Sequence, residues 1–233
     1  MVNNDALQAT ISEAQALYKG DAVGAATLLE AITTAQGFLT SSSVTEVEAA
    51  TAALEKAIQT YRYANTTPEN PLDMTSFLKN PSFADNTATG WQGAGTINYQ
   101  EVEFYEKTFN MYQTISGLPA GKYRLRAQGF ERPKANDGGA AYRAGTETIY
   151  ARLYAASTGY TELTSPFNSL YQHSYTGSGS TNGYINTMAA ANTAMASGAN
   201  YQMTLTDILL NEGGSLTLGA KSTFQQAGYW ALF

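Results

Sequence analysis

The chain has 233 residues, 13 Lys and Arg against 19 Asp and Glu, a formal net charge of −6 and no cysteine. An acidic chain lacks the basic face that nucleic-acid binding needs, and no apolar run is long enough to cross a membrane. Disulfides, thiolate metal sites and a Cys nucleophile are excluded, and a single histidine, His173, disfavours His-based catalysis or a multi-His metal site.

The composition changes near residue 65. Residues 1–65 hold 15 of the alanines, 3 glycines and no proline, whereas 66–233 hold all 6 prolines and both tryptophans. Alanine favours helix, while Gly and Pro punctuate strands and turns. The pattern predicts an α+β, multi-domain chain with a helical unit over 1–65 and a β-rich unit over 72–233, joined by a segment that holds Pro68 and Pro71. Three helices are expected, each with one apolar stripe. The first runs from about Asp5 to Tyr18 on Leu7, Ile11 and Ala14, with Gly20 as its stop. The second runs from about Ala22 to Leu39 on Leu28, Leu29, Ile32 and Ala35. The third runs from about Thr45 to Tyr63 on Val47, Ala50, Leu54, Ile58 and Tyr61, with Thr45 and Glu48 as a capping box. Narrow stripes of this kind must bury against one another, as a three-helix bundle.

The spacings Leu7-x3-Ile11-x2-Ala14-x2-Leu17, Leu28-x3-Ile32-x2-Ala35 and Val47-x2-Ala50-x3-Leu54-x2-Ala57-Ile58 resemble the FIVAR-type three-helix repeat of bacterial surface and secreted carbohydrate-active proteins. A generic helical spacer predicts the same shape.

After residue 95 the period becomes two. Phe109, Met111, Gln113 and Ile115 share a strand face. Tyr123, Leu125 and Ala127 form another, Ile149, Ala151 and Leu153 a third, Tyr201, Met203 and Leu205 a fourth, and Leu216 with Leu218 a fifth. Half-buried strands between Gly and Pro turns read as an antiparallel β-sandwich of jelly-roll type. Residues 101–107, opening with Glu101 and Glu103, read as a solvated edge. The Ala- and Met-rich run 186–197 reads as a short helix over a sheet end.

Several motifs in this half resemble those of a galactose-binding-like jelly roll: Asn80-Pro81-Ser82-Phe83, Gly90-Trp91, Ile115-Ser116-Gly117-Leu118-Pro119-Ala120-Gly121-Lys122-Tyr123, Gly129-Phe130, Leu153-Tyr154, Asn186-Thr187-Met188-Ala189-Ala190-Ala191 and Gly228-Tyr229-Trp230-Ala231-Leu232-Phe233. Such modules occur in secreted glycan-processing proteins of Bacteroides-type bacteria. The resemblance implies a poly- or oligosaccharide partner, an extracellular or cell-surface setting and further domains in a parent protein. Related modules place an acidic residue after Asn-Pro-x-Phe to help hold a structural calcium. Here Ala84 stands there and Asp85 follows, so no cofactor is expected. The family pattern also continues beyond the Trp-x-x-Phe element at which this chain stops.

Trp91 and Trp230 could stack on a sugar, but both lie in strand-like motifs beside small residues, which assigns them to the core. The better candidates are four tyrosines and one arginine in two long loop regions, 131–146 and 157–184. These are Tyr142, Arg143, Tyr160, Tyr171 and Tyr175, surrounded by Gly, Ser, Thr and Asn that can hydrogen-bond to hydroxyls. The alternative for the tyrosines is packing of the loops on themselves. Glu131, Asp137 and Glu147 could form a hydrolase pair only if they converge. The leading expectation is therefore a non-catalytic glycan-binding module with a helical spacer. A structural or adhesive module that contacts protein is the alternative, and a glycoside hydrolase is the third reading.

Overall fold

The computed structural model describes residues 4–233, which divide into two compact units, one ending at Asp73 and one comprising Met74–Phe233. Among the described residues no helix is long and apolar enough to cross a membrane.

The first unit contains α1 (Asp5–Leu17), α2 (Ala25–Gly37) and α3 (Val44–Ala64). Leu7, Ile11 and Ala14 of α1 share one apolar core with Leu28, Ile32 and Ala35 of α2 and with Val47, Leu54, Ile58 and Tyr61 of α3. Each set recurs at three and four residues, so one face of each helix is spent on the others. Leu29 departs from the expected stripe and is 47% exposed. Two helix ends also differ from expectation. α1 ends because Tyr18 turns extended, with φ −60° and ψ 131°, and not at Gly20. α3 is capped two residues earlier than the Thr45–Glu48 pattern suggests. The Ser43 hydroxyl accepts from Glu46 N–H, and the Glu46 carboxylate in turn accepts from Ser41. Ser-x-x-Glu satisfies an otherwise orphaned first-turn amide.

The second unit contains β1 (Thr96–Asn98), β2 (Glu101–Tyr105), β3 (Phe109–Ile115), β4 (Gly121–Gln128), β5 (Phe130–Arg132), α4 (Ala140–Arg143), β6 (Arg152–Ser157), β7 (Leu163–Pro166), β8 (Asn168–Ser169), β9 (Ser180–Thr181), β10 (Tyr184–Ile185), α5 (Met188–Met195), β11 (Gln202–Leu210), β12 (Leu216–Ser222) and β13 (Trp230–Leu232). One sheet has the order β1-β2-β13-β5-β8 and another the order β3-β12-β6-β7. β4 pairs with β11, and β9 with β10. All pairings are antiparallel except β5 with β8.

Val102, Phe104 and Ala231 from the first sheet share a core with Met111, Leu153, Leu218 and Ala220 from the second and with Met203 and Ile208 of β11. The sheets therefore cover each other's apolar faces, as alternation in each strand requires. Phe104 and Phe109 stack with ring centroids 4.0 Å apart across this layer. β4 runs almost directly into β5, passing from one sheet to the other at Gly129. A Cβ there would lie 2.8 Å from the Leu232 carbonyl oxygen, so only glycine lets the strands approach at the crossing.

The segment 101–107 is not a solvated edge. β2 lies between β1 and β13, and Glu101, Val102 and Phe104 are all buried. The strand expected to open at Ile149 begins instead at Arg152. The run 186–197 does form a helix, α5, whose first turn is capped by the Thr187 hydroxyl accepting from Ala190 N–H.

Residues 230, 232, 130 and 132 point away from the main core, on the opposite face of the first sheet from 231, 104 and 131. Phe130, Trp230 and Leu232 on that face are sealed by Leu170, Tyr171, Ile185, Ala190, Ala191, Met195 and Tyr201. The excursion between β8 and β11 thus covers the first sheet from outside.

Candidate functional site

The strand registers sort the connections by end. Ser222 pairs with Phe109, Lys221 with Arg152, and Trp230 with both Tyr105 and Arg132. The β2–β3, β5–β6 and β12–β13 connections therefore emerge together. The β6–β7 and β11–β12 turns emerge at the far end, where Leu216 pairs with Ser157.

The β5–β6 connection carries Tyr142 and Tyr150, and a buried carboxylate holds its return. Glu131 has 0% exposure, and both its oxygens accept from Tyr150 N–H at 3.0 Å. Oε2 also accepts from Ala151 N–H. Burial pushes the Glu131 carboxyl up to about 7, and the amide bonds from Tyr150 and Ala151 pull the other way. This explains why the strand expected at Ile149 starts late: residues 150 and 151 donate to a side chain instead of to a neighbouring strand.

Arg132 joins three segments. It is 5% exposed, and its Nε donates to the Gly228 carbonyl at 3.2 Å. Its Nη1 donates to Asn186 Oδ1 at 2.5 Å, and the guanidinium lies 5.2 Å from the centroid of the Trp230 ring. The front of the connection is tied to the covering excursion by two reciprocal amides. Asn136 Nδ2 donates to the Thr181 carbonyl at 3.0 Å and Asn182 Nδ2 to the Asn136 carbonyl at 3.1 Å. Gly139, at φ +75°, rests on the Tyr171 ring, where a Cβ would come within 2.8 Å of the ring carbons.

The five expected ligand-contacting residues do not form one cluster. Tyr142 and Arg143 lie together on the single turn α4, with Tyr142 37% exposed. Arg143 donates back to the Gly138 carbonyl and so braces its own loop. Tyr175 is half-buried in the excursion, its N–H donating to the Gly183 carbonyl at 2.8 Å. Tyr171 must be corrected. It is 5% exposed, lies beneath Gly139 and meets Tyr184 edge-on at 4.9 Å, so it is a floor for the loop and offers no open ring face. Tyr160 is at the other end of β6, where its hydroxyl donates to Asn211 Oδ1 at 2.7 Å. It shares no surface with Tyr142.

Both tryptophans pack. Trp230 is 2% exposed, and Trp91 is half-buried against Phe83 with its indole N–H donating to the Asn80 carbonyl at 3.0 Å. His173 meets Tyr201 edge-on at 4.8 Å.

Of the three carboxylates considered as a hydrolase pair, Glu131 is spent on backbone amides. Asp137 pairs with Lys134 at 2.8 Å and accepts from Gly139 N–H. Lys134 chiefly holds the Asp137 carboxyl below its ordinary range, whereas burial raises that of Glu147. Among the described residues no three His, Cys, Asp or Glu side chains are grouped to hold a metal ion.

Sequence reasoning missed two features of this end. One is the role of Glu131. The other is a parallel stack of Tyr150 on Phe224, with centroids 3.6 Å apart and planes 2° apart. Tyr150 alternates with Ile149 and Ala151 like a strand residue, and nothing local marks Phe224 as its partner 74 positions away.

No protein-family model matches the sequence, and no curated protein matches it. Among solved structures, one match is TmCBM61 determined in complex with β-1,4-galactotriose. It is 16% identical, the match covers 67% of this chain and 97% of that one, and the TM-score is 0.37.

Proposed function

We propose that the second unit is a non-catalytic glycan-binding module and that the three-helix unit, FIVAR-like in its spacing, serves as its spacer in a secreted or cell-surface saccharide-handling protein. The observation that carries this reading is the loop end of the β-rich unit. There, Tyr142 and Tyr150 are each 37% exposed, on the β5–β6 connection, which is fixed by buried polar anchors and holds Asn136, Gly138, Gly139 and Gly145. Exposed aromatic faces match the C–H face of a sugar ring, and amides match its hydroxyls. A rigid sandwich that presents such residues on its loops is organised for binding. The jelly-roll, galactose-binding-like description of the fold belongs to the same proposal.

A hydrolase is disfavoured because Glu131, the most deeply buried of the three carboxylates, has both oxygens engaged by amide donors. Affinity electrophoresis against neutral and acidic polysaccharides, with a parallel search for released products, tests the reading. Retardation without products is the expected result. Release of products shows a hydrolase, and mobility unchanged in every gel favours a module that contacts protein.

A further inference from the structure

We propose that the outer face of Tyr150, backed by the stacked Phe224 ring, is the platform on which one uncharged pyranose unit stacks; the inference rests on the glycan-binding reading and assigns its central contact. The two rings come from different connections, β5–β6 and β12–β13, yet lie parallel at 3.6 Å and 2°. Phe224 is braced from below by Tyr229, which is fully buried and meets it edge-on at 5.3 Å. Tyr150 is braced through its backbone. Its N–H donates to the Glu131 carboxylate, and the carbonyls of Ile149 and Ala151 on either side accept from Arg152 Nη1 at 2.6 and 3.0 Å. Residues 149–151 are thus fixed at both donors and acceptors. A binding surface held in place before the ligand arrives loses little entropy on binding.

The cost of that rigidity is visible. Glu131 has 0% exposure and, among the described residues, makes no ion pair. Burying such a group is unfavourable unless it is well hydrogen-bonded. A site that departs from the usual rule of exposed carboxylates, and does so to position an exposed ring, has the character of a functional one. Gln225 and Gln226 follow Phe224 on the same connection and are exposed, and Gln226 Nε2 reaches the Pro133 carbonyl at 2.7 Å. Amides at the rim and a ring at the centre suit a pyranose, whose hydroxyls lie at its edge and whose C–H groups form its face. The formal net charge of −6 disfavours uronic acids and favours a neutral sugar.

The test uses the full chain on affinity gels that contain β-1,4-galactan, xyloglucan, galactomannan or polygalacturonate. The expected result is retardation by a neutral gel, a loss of about tenfold in affinity for Tyr150→Ala, and affinity close to the parent for Tyr150→Phe, which keeps the ring. Equal melting curves for the variants exclude loss of the fold as the cause. Parent-like retardation of Tyr150→Ala overturns the platform and leaves the glycan reading standing. Retardation by polygalacturonate alone overturns the choice of an uncharged sugar. No retardation in any gel overturns the glycan reading and the platform with it.

Discussion

Glu131 performs one task with its oxygens and carries another burden in its charge, and two substitutions separate them. Glu131→Gln keeps an acceptor for the Tyr150 amide and removes the buried charge. Glu131→Ala removes both, leaving two amide donors near the core without a partner. Unsatisfied buried donors cost about 1–3 kcal/mol. At pH 8 the Gln variant should therefore be more stable than the Ala variant by about that amount, as read from urea unfolding. Equal stabilities would mean that water replaces the carboxylate without cost. Neither oxygen's role could be read from the chain, because Glu131 is an acidic residue in an alternating strand, and alternation alone assigns a face without saying what waits there. Tyr171 failed for a related reason. All but Leu170 of its near neighbours in sequence are polar, but the residue that covers it, Gly139, belongs to a different connection.

At the scale of elements, the helices were the most legible part. Leu7, Ile11, Leu28, Ile32, Leu54 and Ile58 are buried where a 3.6-residue period puts them, because a helix stripe is a local property of the chain. Helix ends were less legible, since Ser43 and Thr45 are both plausible caps and only backbone geometry chooses. Two substitutions in α3 probe these levels. Ser43→Ala should cost about 1 kcal/mol through the lost cap. Leu54→Ala, from a side chain 1% exposed, should cost about 2–4 kcal/mol through the cavity it leaves. Thermal or denaturant unfolding of the first unit, followed by far-ultraviolet circular dichroism, measures both; a larger loss for Ser43→Ala than for Leu54→Ala would contradict the register. Strand faces in β3, β11 and β12 were legible by the same logic at period two. The order of strands was not, because β2 finds β13 across more than a hundred residues and nothing local encodes that choice.

For the molecule as a whole, buried carboxylates set an unusual response to pH. Burial, and then the neighbouring Glu103, pushes Glu101 up to about 8, and burial pushes Glu131 up to about 7, from an ordinary value of 4.5. The folded state therefore keeps protons that the unfolded state has released, so stability falls as pH rises from about 4.5 through 7 to 8. Arg152 opposes this at Glu131, while Glu147 reinforces it. The second unit should unfold at a lower urea concentration at pH 8 than at pH 5, and the double variant Glu101→Gln, Glu131→Gln should flatten the difference. A parent midpoint that rises with pH would contradict the assignment. The division at Asp73 adds a further expectation: limited proteolysis should cut within 65–73 and leave a β-rich fragment beginning near Met74. Cuts dominated by other sites would count against two separable units.

The place of β13 also has a consequence for how the protein is made. Its three residues, Trp230–Leu232, fill the middle of the first sheet, with β2 on one side and β5 on the other. On the ribosome, β2 and β5 are synthesised long before the strand that joins them, and each must wait with an open edge and half of a hydrophobic face uncovered. The sheet closes only after Leu232 has left the exit tunnel. Until then the nascent chain presents the kind of surface that chaperones hold, and pairings this distant in sequence form slowly. A ribosome-bound chain stalled before Trp230 should therefore remain protease-sensitive across 101–132, and emergence of β13 should protect that whole span in a single step.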